Sequence, residues 1–277
     1  MNAEEVLQLA VELSGLERVP EDSAVHVPGG PLRRVLFGLD VGPAELLLAR
    51  ELGLDGCVAH HPLPANLEAW RVYLRHVEFM VQAGVPGEAA RQAVAERVEE
   101  MKVRAHAGNW DHTPSVARLL GMPLVNVHAP LDEIGRRRMV EAVEAVQRRR
   151  PHATVGEVAE ALAALPEVAS AATRVQIPLG DPTRPAGRVL VAHGALTNGG
   201  YAVARTCFEH GVDTVVYIHV DPNELARLRR DGRGNLVVVG HLAGDALGFG
   251  PFVRALQERG VEVVPFSGVP AFPLSPP

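Results

Sequence analysis

GCVAHHPLP (Gly56–Pro64) is an apolar run that stops in two adjacent histidines and a proline. Its first part, Leu54–Ala59, has the length and composition of a buried strand. Neighbouring side chains in a regular strand face opposite sides. His60 and His61 are therefore either one core and one surface histidine, or a pair that shares one site because the chain leaves the pleat there. Pro62 favours the second arrangement, since proline interrupts a strand. In open α/β sheets, ligands collect at the carboxyl ends of the strands. An imidazole pair at that position is a metal-site candidate.

The flanking chain supplies the rest of a parallel unit. LRRVLFGL (Leu32–Leu39) reads as a strand followed by Asp40, which either faces a site or starts a helix. Pro43–Leu52 reads as a helix entered through Gly42 and Pro43. With Leu54–Ala59 this makes a βαβ unit, whose two strands are expected to be parallel. Upstream, Asn2–Leu16 is an amphipathic helix with Asn2 placed to cap it and Gly15 to stop it. Downstream, 66–104 reads as a helical insertion. One helix carries Leu67, Trp70, Leu74, Val77, Phe79 and Met80, and Gly84–Gly87 separates it from a second over Glu88–Val103. Pro114 and Ser115 open a short helix that ends at Gly121, and LVNVHAP (Leu124–Pro130) follows as a strand. Pro130–Arg150 reads as an exposed helix whose basic end suits its dipole. Thr154–Leu165 is a helix with Thr154 and Glu157 in capping-box spacing, and Ala169–Leu179 reads as a strand before a Pro/Gly loop over 180–187.

From Gly187 the pattern repeats. Arg34 and Arg188 each start an Arg-Val-Leu strand. Ala49-Arg50 and Ala204-Arg205 lie in the following helices, and Gly53-Leu54-Asp55 and Gly211-Val212-Asp213 precede the second strands. His61 falls opposite His219 in this register. Asn223–Arg230 is then a helix, Asn235–Val239 a strand, and a helix from His241 leads to a last strand, Val261–Pro265. The fold class is α/β with two related lobes. The first spans 1–130 and includes the insertion, 131–186 connects, and the second spans 187–268. The Pro-rich tail, 269–277, is expected to be poorly ordered.

Composition narrows the function classes. With 277 residues, 47% hydrophobic and 22% charged, this is a globular chain of one large or two ordinary domains. A net charge of −6 and 4% aromatic residues argue against nucleic-acid and anionic-membrane surfaces. Lys102 is the only lysine. Cys57 and Cys207 lie in separate apolar segments, as buried thiols do in a reducing compartment. The N-terminus lacks a basic leader, and no apolar run reaches the roughly 18 residues of a membrane span. The expected location is cytoplasmic.

Further side chains join the histidine pair as ligand candidates. His241 and Asp245 follow a strand and sit one helical turn apart on one face; taken alone, a dipole-facing carboxylate and a loop histidine are the plainer account of them. Asp111 in NWD stands just before a helix, where a helix-start carboxylate is the alternative. His60, His61, Asp111, His241 and Asp245 together make a mixed N/O set that suits Zn, Fe, Mn or Co. Five ligands fit two ions about 3.5–4 Å apart with positions left for solvent. His193 and His219 end strands of the second unit and are acid/base candidates. His128 follows a strand and reads as structural. His112 either lines the site or is exposed. GALTNGG (Gly194–Gly200) is either a phosphate-facing loop or a plain turn.

GCVAHHPL, HAGNWD and the GH-x3-acid ending resemble the NIF3 family, also described as GTP cyclohydrolase 1 type 2. In that family a later H-T-N-[LM]-D supplies a carboxylate and G-H-Y-x-x-E the last two ligands. The resemblance implies two similar α/β lobes with a dinuclear metal cleft between them. It implies His60, His61, Asp111, His241 and Asp245 as ligands of two divalent ions, Zn, Fe or Mn, and a toroidal homo-oligomer, typically a hexamer. Asp245 replaces the family's glutamate, and His106 stands one residue further from Asp111 than the motif spacing, which leaves it a supporting position at most. The expected function is a metal-dependent hydrolase acting on a small phosphorylated or nucleotide-like substrate. A metal-bearing oligomeric scaffold is the alternative from another class.

Overall fold

The structure is a computed structural model and describes residues 1–269; the tail from Pro270 to Pro277 lies outside the described residues. In chain order the elements are α1 (Ala3–Ser14), β1 (Ala24–Val27), β2 (Arg34–Gly38), α2 (Pro43–Glu51), β3 (Gly56–Ala59), α3 (Trp70–Tyr73), α4 (Arg75–Gln82), α5 (Gly87–Ala107), α6 (His112–Leu120), β4 (Leu124–Asn126) and α7 (Ala129–Arg149). Then follow α8 (Val155–Ala163), α9 (Pro166–Ser170), β5 (Gln176–Leu179), β6 (Val189–Val191), α10 (Gly200–Glu209), β7 (Thr214–Tyr217), α11 (Pro222–Asp231), β8 (Asn235–Val238), α12 (His241–Glu258) and β9 (Glu262–Pro265). They form two compact units. One comprises Met1–Val72, Met101–Ile134 and the described residues from Gly248 onward; the other comprises Tyr73–Glu100 and Gly135–Leu247.

The first unit is built on a five-stranded sheet in the order β1-β4-β3-β2-β9. β2 and β3 are parallel, as the βαβ reading requires, and β4 continues the parallel run. Both ends of α1 are fixed by local chemistry. The Asn2 side chain accepts from Glu5 N–H while Glu5 reaches back to Asn2 N–H, and Gly15 closes α1 in the left-handed region at φ 69°. Leu36, Leu46, Ala49, Leu54, Cys57 and Leu124 meet in one apolar cluster. Burial pushes the Cys57 thiol up to about 12, which keeps it inert. Phe249 and Phe252 of α12 pack edge-on against Phe37 at 5.3 and 5.6 Å.

The second unit carries a four-stranded sheet, β5-β8-β7-β6, with β6, β7 and β8 parallel and β5 antiparallel. The repeat seen in sequence reaches the hydrogen bonds. Asp55 Oδ2 accepts from Arg34 N–H at 2.7 Å and Asp55 N–H donates to the Arg34 carbonyl at 2.8 Å. Asp213 does the same with Arg188 at 2.8 and 2.9 Å. The core of this unit joins Met139, Val155, Leu162, Val216, Val237 and Leu247.

Several elements differ from expectation. The first insertion helix breaks at Leu74 into α3 and α4. The strand expected over Ala169–Leu179 begins only at Gln176, because Pro166 at the first helical turn opens α9 instead. The helix from Ala129 is not exposed throughout: Ala129–Gly135 are all buried. The sequential lobes 1–130 and 187–268 follow chain order, whereas β9, near the end, pairs in parallel with β2.

The approach of α12 to α7 within the first unit depends on Gly248. A Cβ there would overlap the Leu131 carbonyl, which is backbone and has no rotamer to yield. Gly248→Ala is expected to lower stability by about 2 kcal/mol or more, the upper range for overpacking, read as the urea unfolding midpoint beside the wild type. An unshifted midpoint would show that α12 is free to slide there.

Candidate metal centre

β3 and β4 run parallel with Ala59 opposite Asn126, so their carboxyl ends are level. The ladder extends one residue further, with Val127 N–H donating to the Ala59 carbonyl at 2.9 Å. Beyond it both chains leave the sheet, and the side chains of His60, His61 and His128 converge. The His60 ring centroid is 5.3 Å from that of His61 and 4.8 Å from that of His128; His61 and His128 are 5.9 Å apart. Phe249 covers the His60 ring edge-on at 5.1 Å. His60 is wholly buried and His61 partly so.

The three imidazoles share one device: each Nδ1 is held by an oxygen. His60 Nδ1 meets the Val127 carbonyl at 3.1 Å, His61 Nδ1 the Asp40 carboxylate at 2.8 Å, and His128 Nδ1 the Asp22 carboxylate at 2.7 Å. An oxygen acceptor at Nδ1 sets that nitrogen as the donor, so each neutral ring keeps its lone pair on Nε2. Asp22 is itself fully buried and also accepts from Ser23 Oγ and Ala129 N–H. Asn126 ties this segment down, its Nδ2 donating to the Asp22 carbonyl at 2.6 Å. Such oxygen partners on the far nitrogen are the usual support of metal-binding histidines.

Asp132, buried in the first turn of α7, completes the group. Its Oδ1 lies 3.2 Å from His60 Nε2 and its Oδ2 3.5 Å from His128 Nε2. Ligand atoms of His60, His128 and Asp132 all lie within 4.8 Å of one another. Two imidazoles and a carboxylate at these distances could hold one cation. The donor set suits a borderline transition ion, so these residues fit the metal that the sequence implies.

Asp111 is placed differently from its expected role. It stands before α6, partly exposed, with its carboxylate paired to Arg118 on the same helix, and it belongs to none of the ligand-distance groups among the described residues. His106 and His112 are exposed. Sequence reasoning read His128 as structural and passed over Asp132. The signal was present: HAPLD (His128–Asp132) has the spacing of the H-T-N-[LM]-D motif, which HAGNWD misses by one residue.

In the second unit, His241 Nε2 lies 3.2 Å from Asp245 Oδ2 across one helical turn; the carboxylate is buried and the imidazole about half exposed. The His219 ring stands 4.8 Å from His241. His193 is buried just after β6. The loop from Ala192 to Gly199 is held by the insertion helices. Tyr73 Oη donates to the Gly199 carbonyl at 3.1 Å, His76 Nε2 to the Thr197 carbonyl at 2.9 Å, and Arg75 to the Gly194 carbonyl. Beside this loop a cavity of about 260 Å³ is lined by Tyr73, Arg97, Asn198, His219 and Glu224 among others.

The fold and this chemistry define a two-sheet α/β protein with a group of histidines and a carboxylate at its strand ends that could hold a metal ion. The chain belongs to the NIF3 superfamily. It is 51% identical to a NIF3 superfamily protein from Sphaerobacter thermophilus, covering 97% of this chain and 99% of that one with a TM-score of 0.94. Reduced HcgD from Methanocaldococcus jannaschii shares the fold at 12% identity and a TM-score of 0.56, over 96% of this chain and 97% of that one. The protein ybgI, of unknown function, does so at 16% identity and 0.53, over 98% and 99%. No family model and no curated protein sequence matches the chain.

Burial pushes the His76 imidazole down from 6.5 to about 4, with Arg75 and His193 adding to the effect and the Thr197 carbonyl opposing it. The unfolded chain takes up this proton below pH 6.5 and the folded chain only near 4. Stability should therefore fall as pH drops from 6.5 and level off below about 4, by about 3 kcal/mol in all. Urea unfolding at several pH values should show His76→Gln losing that part of the slope. An unchanged slope would place the acid sensitivity elsewhere.

Proposed function

We propose that this protein is a dinuclear metal-dependent hydrolase whose substrate is a small phosphorylated or nucleotide-like molecule. The ligands are His60, His61, Asp132, His241 and Asp245, with His128 beside them. Asp132 takes the place that the sequence resemblance gave to Asp111. The observation that carries this reading is the triple arrangement of Nδ1 partners, Val127, Asp40 and Asp22, beside a group of His60, His128 and Asp132 ligand atoms within 4.8 Å of one another. Zn, Fe or Mn suits the mixed imidazole and carboxylate set. When bound, such ions polarise a phosphoryl or carbonyl oxygen and make water nucleophilic near neutral pH.

The chain's own residues do the remaining work. Asp22 and Asp40 hold His128 and His61 in one tautomer, and the Val127 carbonyl does so for His60. Phe249 shields one edge of the His60 ring and keeps water from that side. His193 and His219 are the imidazoles assigned to substrate oxygens. Assembly is proposed to be a homo-oligomer, a hexameric ring by resemblance. The second reading, a metal-bearing scaffold, keeps the ligands and discards the turnover.

Elemental analysis of protein purified without chelator should give about two equivalents of Zn, Fe or Mn per chain. The His60→Ala/His61→Ala protein should lose both while remaining folded. Asp132→Asn should lose at least one, and Asp111→Asn none. Metal-bearing wild type that hydrolyses no phosphoester or nucleotide in a broad screen would favour the scaffold. Retention of full metal by Asp132→Asn would overturn the ligand assignment.

A further inference from the structure

The loop that follows β6 fixes the position of one proton. Asn198 Oδ1 accepts from Gly200 N–H at 2.8 Å. A backbone N–H only donates, so the amide oxygen must face it and the amide nitrogen must face away. That nitrogen, Asn198 Nδ2, lies 2.8 Å from His219 Nδ1. An amide NH2 also only donates, so His219 Nδ1 must accept. Flipping the amide would set NH2 against the Gly200 N–H. Protonating Nδ1 would set N–H against NH2. One arrangement satisfies both contacts, and in it the neutral ring of His219 carries its proton on Nε2.

We propose that Asn198 is a positioning residue that holds His219 as an Nε2–H hydrogen-bond donor. This sets His219 apart from His60, His61 and His128, whose Nδ1 atoms face carbonyl or carboxylate oxygens and whose Nε2 atoms bear the lone pairs. The same ring position thus has opposite polarity in the two places. His219 cannot ligate a metal through Nε2 in this tautomer. Nor can it take a proton from water there.

The functional half of the inference rests on the hydrolase reading. His219 then donates a hydrogen bond to an acceptor oxygen of the substrate, on a phosphate, carboxylate or carbonyl, and keeps its proton. Giving the proton up would leave an imidazolate, for which Asn198 supplies no compensation. Proton transfer falls to His193. Asn198, His219 and Arg97 line the same cavity of about 260 Å³ together with the carboxylates of Asp221 and Glu224.

The test reads the tautomer directly and needs no substrate. Protein labelled with 15N-histidine is examined by long-range proton–nitrogen correlation at about pH 8, above the ordinary histidine range. The His219 signals are assigned by their disappearance in His219→Gln. The wild type should show His219 with Nδ1 unprotonated and Nε2 protonated. Asn198→Asp keeps the acceptor for Gly200 N–H and turns the group facing Nδ1 into an acceptor, so it should reverse the tautomer. A wild-type ring protonated on Nδ1, an even mixture of tautomers, or an Asn198→Asp protein with the wild-type pattern would each overturn the proposal. If Asn198→Asp fails to fold, the wild-type spectrum still decides it. Failure of the hydrolase reading would appear in metal content and turnover, and would leave this spectrum unchanged.

Discussion

The candidate centre depends on the register of two short parallel strands. Ala59 opposite Asn126 brings the ends of β3 and β4 level, and the extra Val127-to-Ala59 bond carries that alignment past the sheet. A shift of one residue would turn His60 to the other face of the pleat and move it away from Asp132. The register is set by burial on both sides: every residue of β3 and of β4 is buried. The Val127 carbonyl then has two roles. It lies at the end of the ladder, and it holds His60 Nδ1. The backbone thereby fixes a tautomer without spending a side chain. His61 and His128 use carboxylates, Asp40 and Asp22, for the same purpose.

The two sheets reuse one plan with different outcomes. Asp55 and Asp213 start equivalent strands with equivalent hydrogen bonds. In each sheet the third parallel strand is followed by His-x3-Asp at the opening of a long helix, His128–Asp132 and His241–Asp245. The register is not identical. Val127 N–H bonds to Ala59 and Val239 N–H to Tyr217, so His128 follows its strand at once while Gly240 stands between Val239 and His241. That residue sits at φ 110°, in the range where glycine is favoured, and a Cβ there would meet Thr173. The added residue leaves His241 about half exposed where His128 is buried.

What was legible in the sequence was local. The caps of α1 and α8, the βαβ unit, the histidine pair at a strand end and the internal repeat rest on short-range rules of spacing and termination. The centre was legible in part. His60 and His61 drew attention by position, but the nearness of Asp132, which sequence reading did not single out, depends on which strand lies beside β3. That is a long-range fact, set by pairing between residues more than sixty apart. Asp111 drew attention because NWD precedes a helix, where a carboxylate is favourable for reasons unrelated to metal; in the structure it serves Arg118. Asp22 carried no signal at all, since a buried carboxylate in a loop is recognisable only through the histidine it holds. The α9 segment was misread because Ala169–Leu179 is apolar enough for either state, and Pro166 decides for a helix at its start.

The insertion over 66–104 had no assignable role in sequence, and the loop it holds supplies one. Leu196 adopts φ 69°, a conformation that a branched side chain rarely takes. Such a backbone persists where its surroundings over-determine it. Here Arg75, His76 and Tyr73 bond the carbonyls of Gly194, Thr197 and Gly199, on both sides of Leu196. His76 is buried and neutral, so its bond to Thr197 costs no charge desolvation. Next to these pinned carbonyls lies Asn198, whose orientation is set by Gly200 and which in turn orients His219. The order runs from α3 and α4 through the loop to one imidazole. Loosening the helices would free Leu196 to relax. The insertion therefore clamps the loop around Leu196, and in the same loop Asn198 stands between Gly200 N–H and His219 Nδ1.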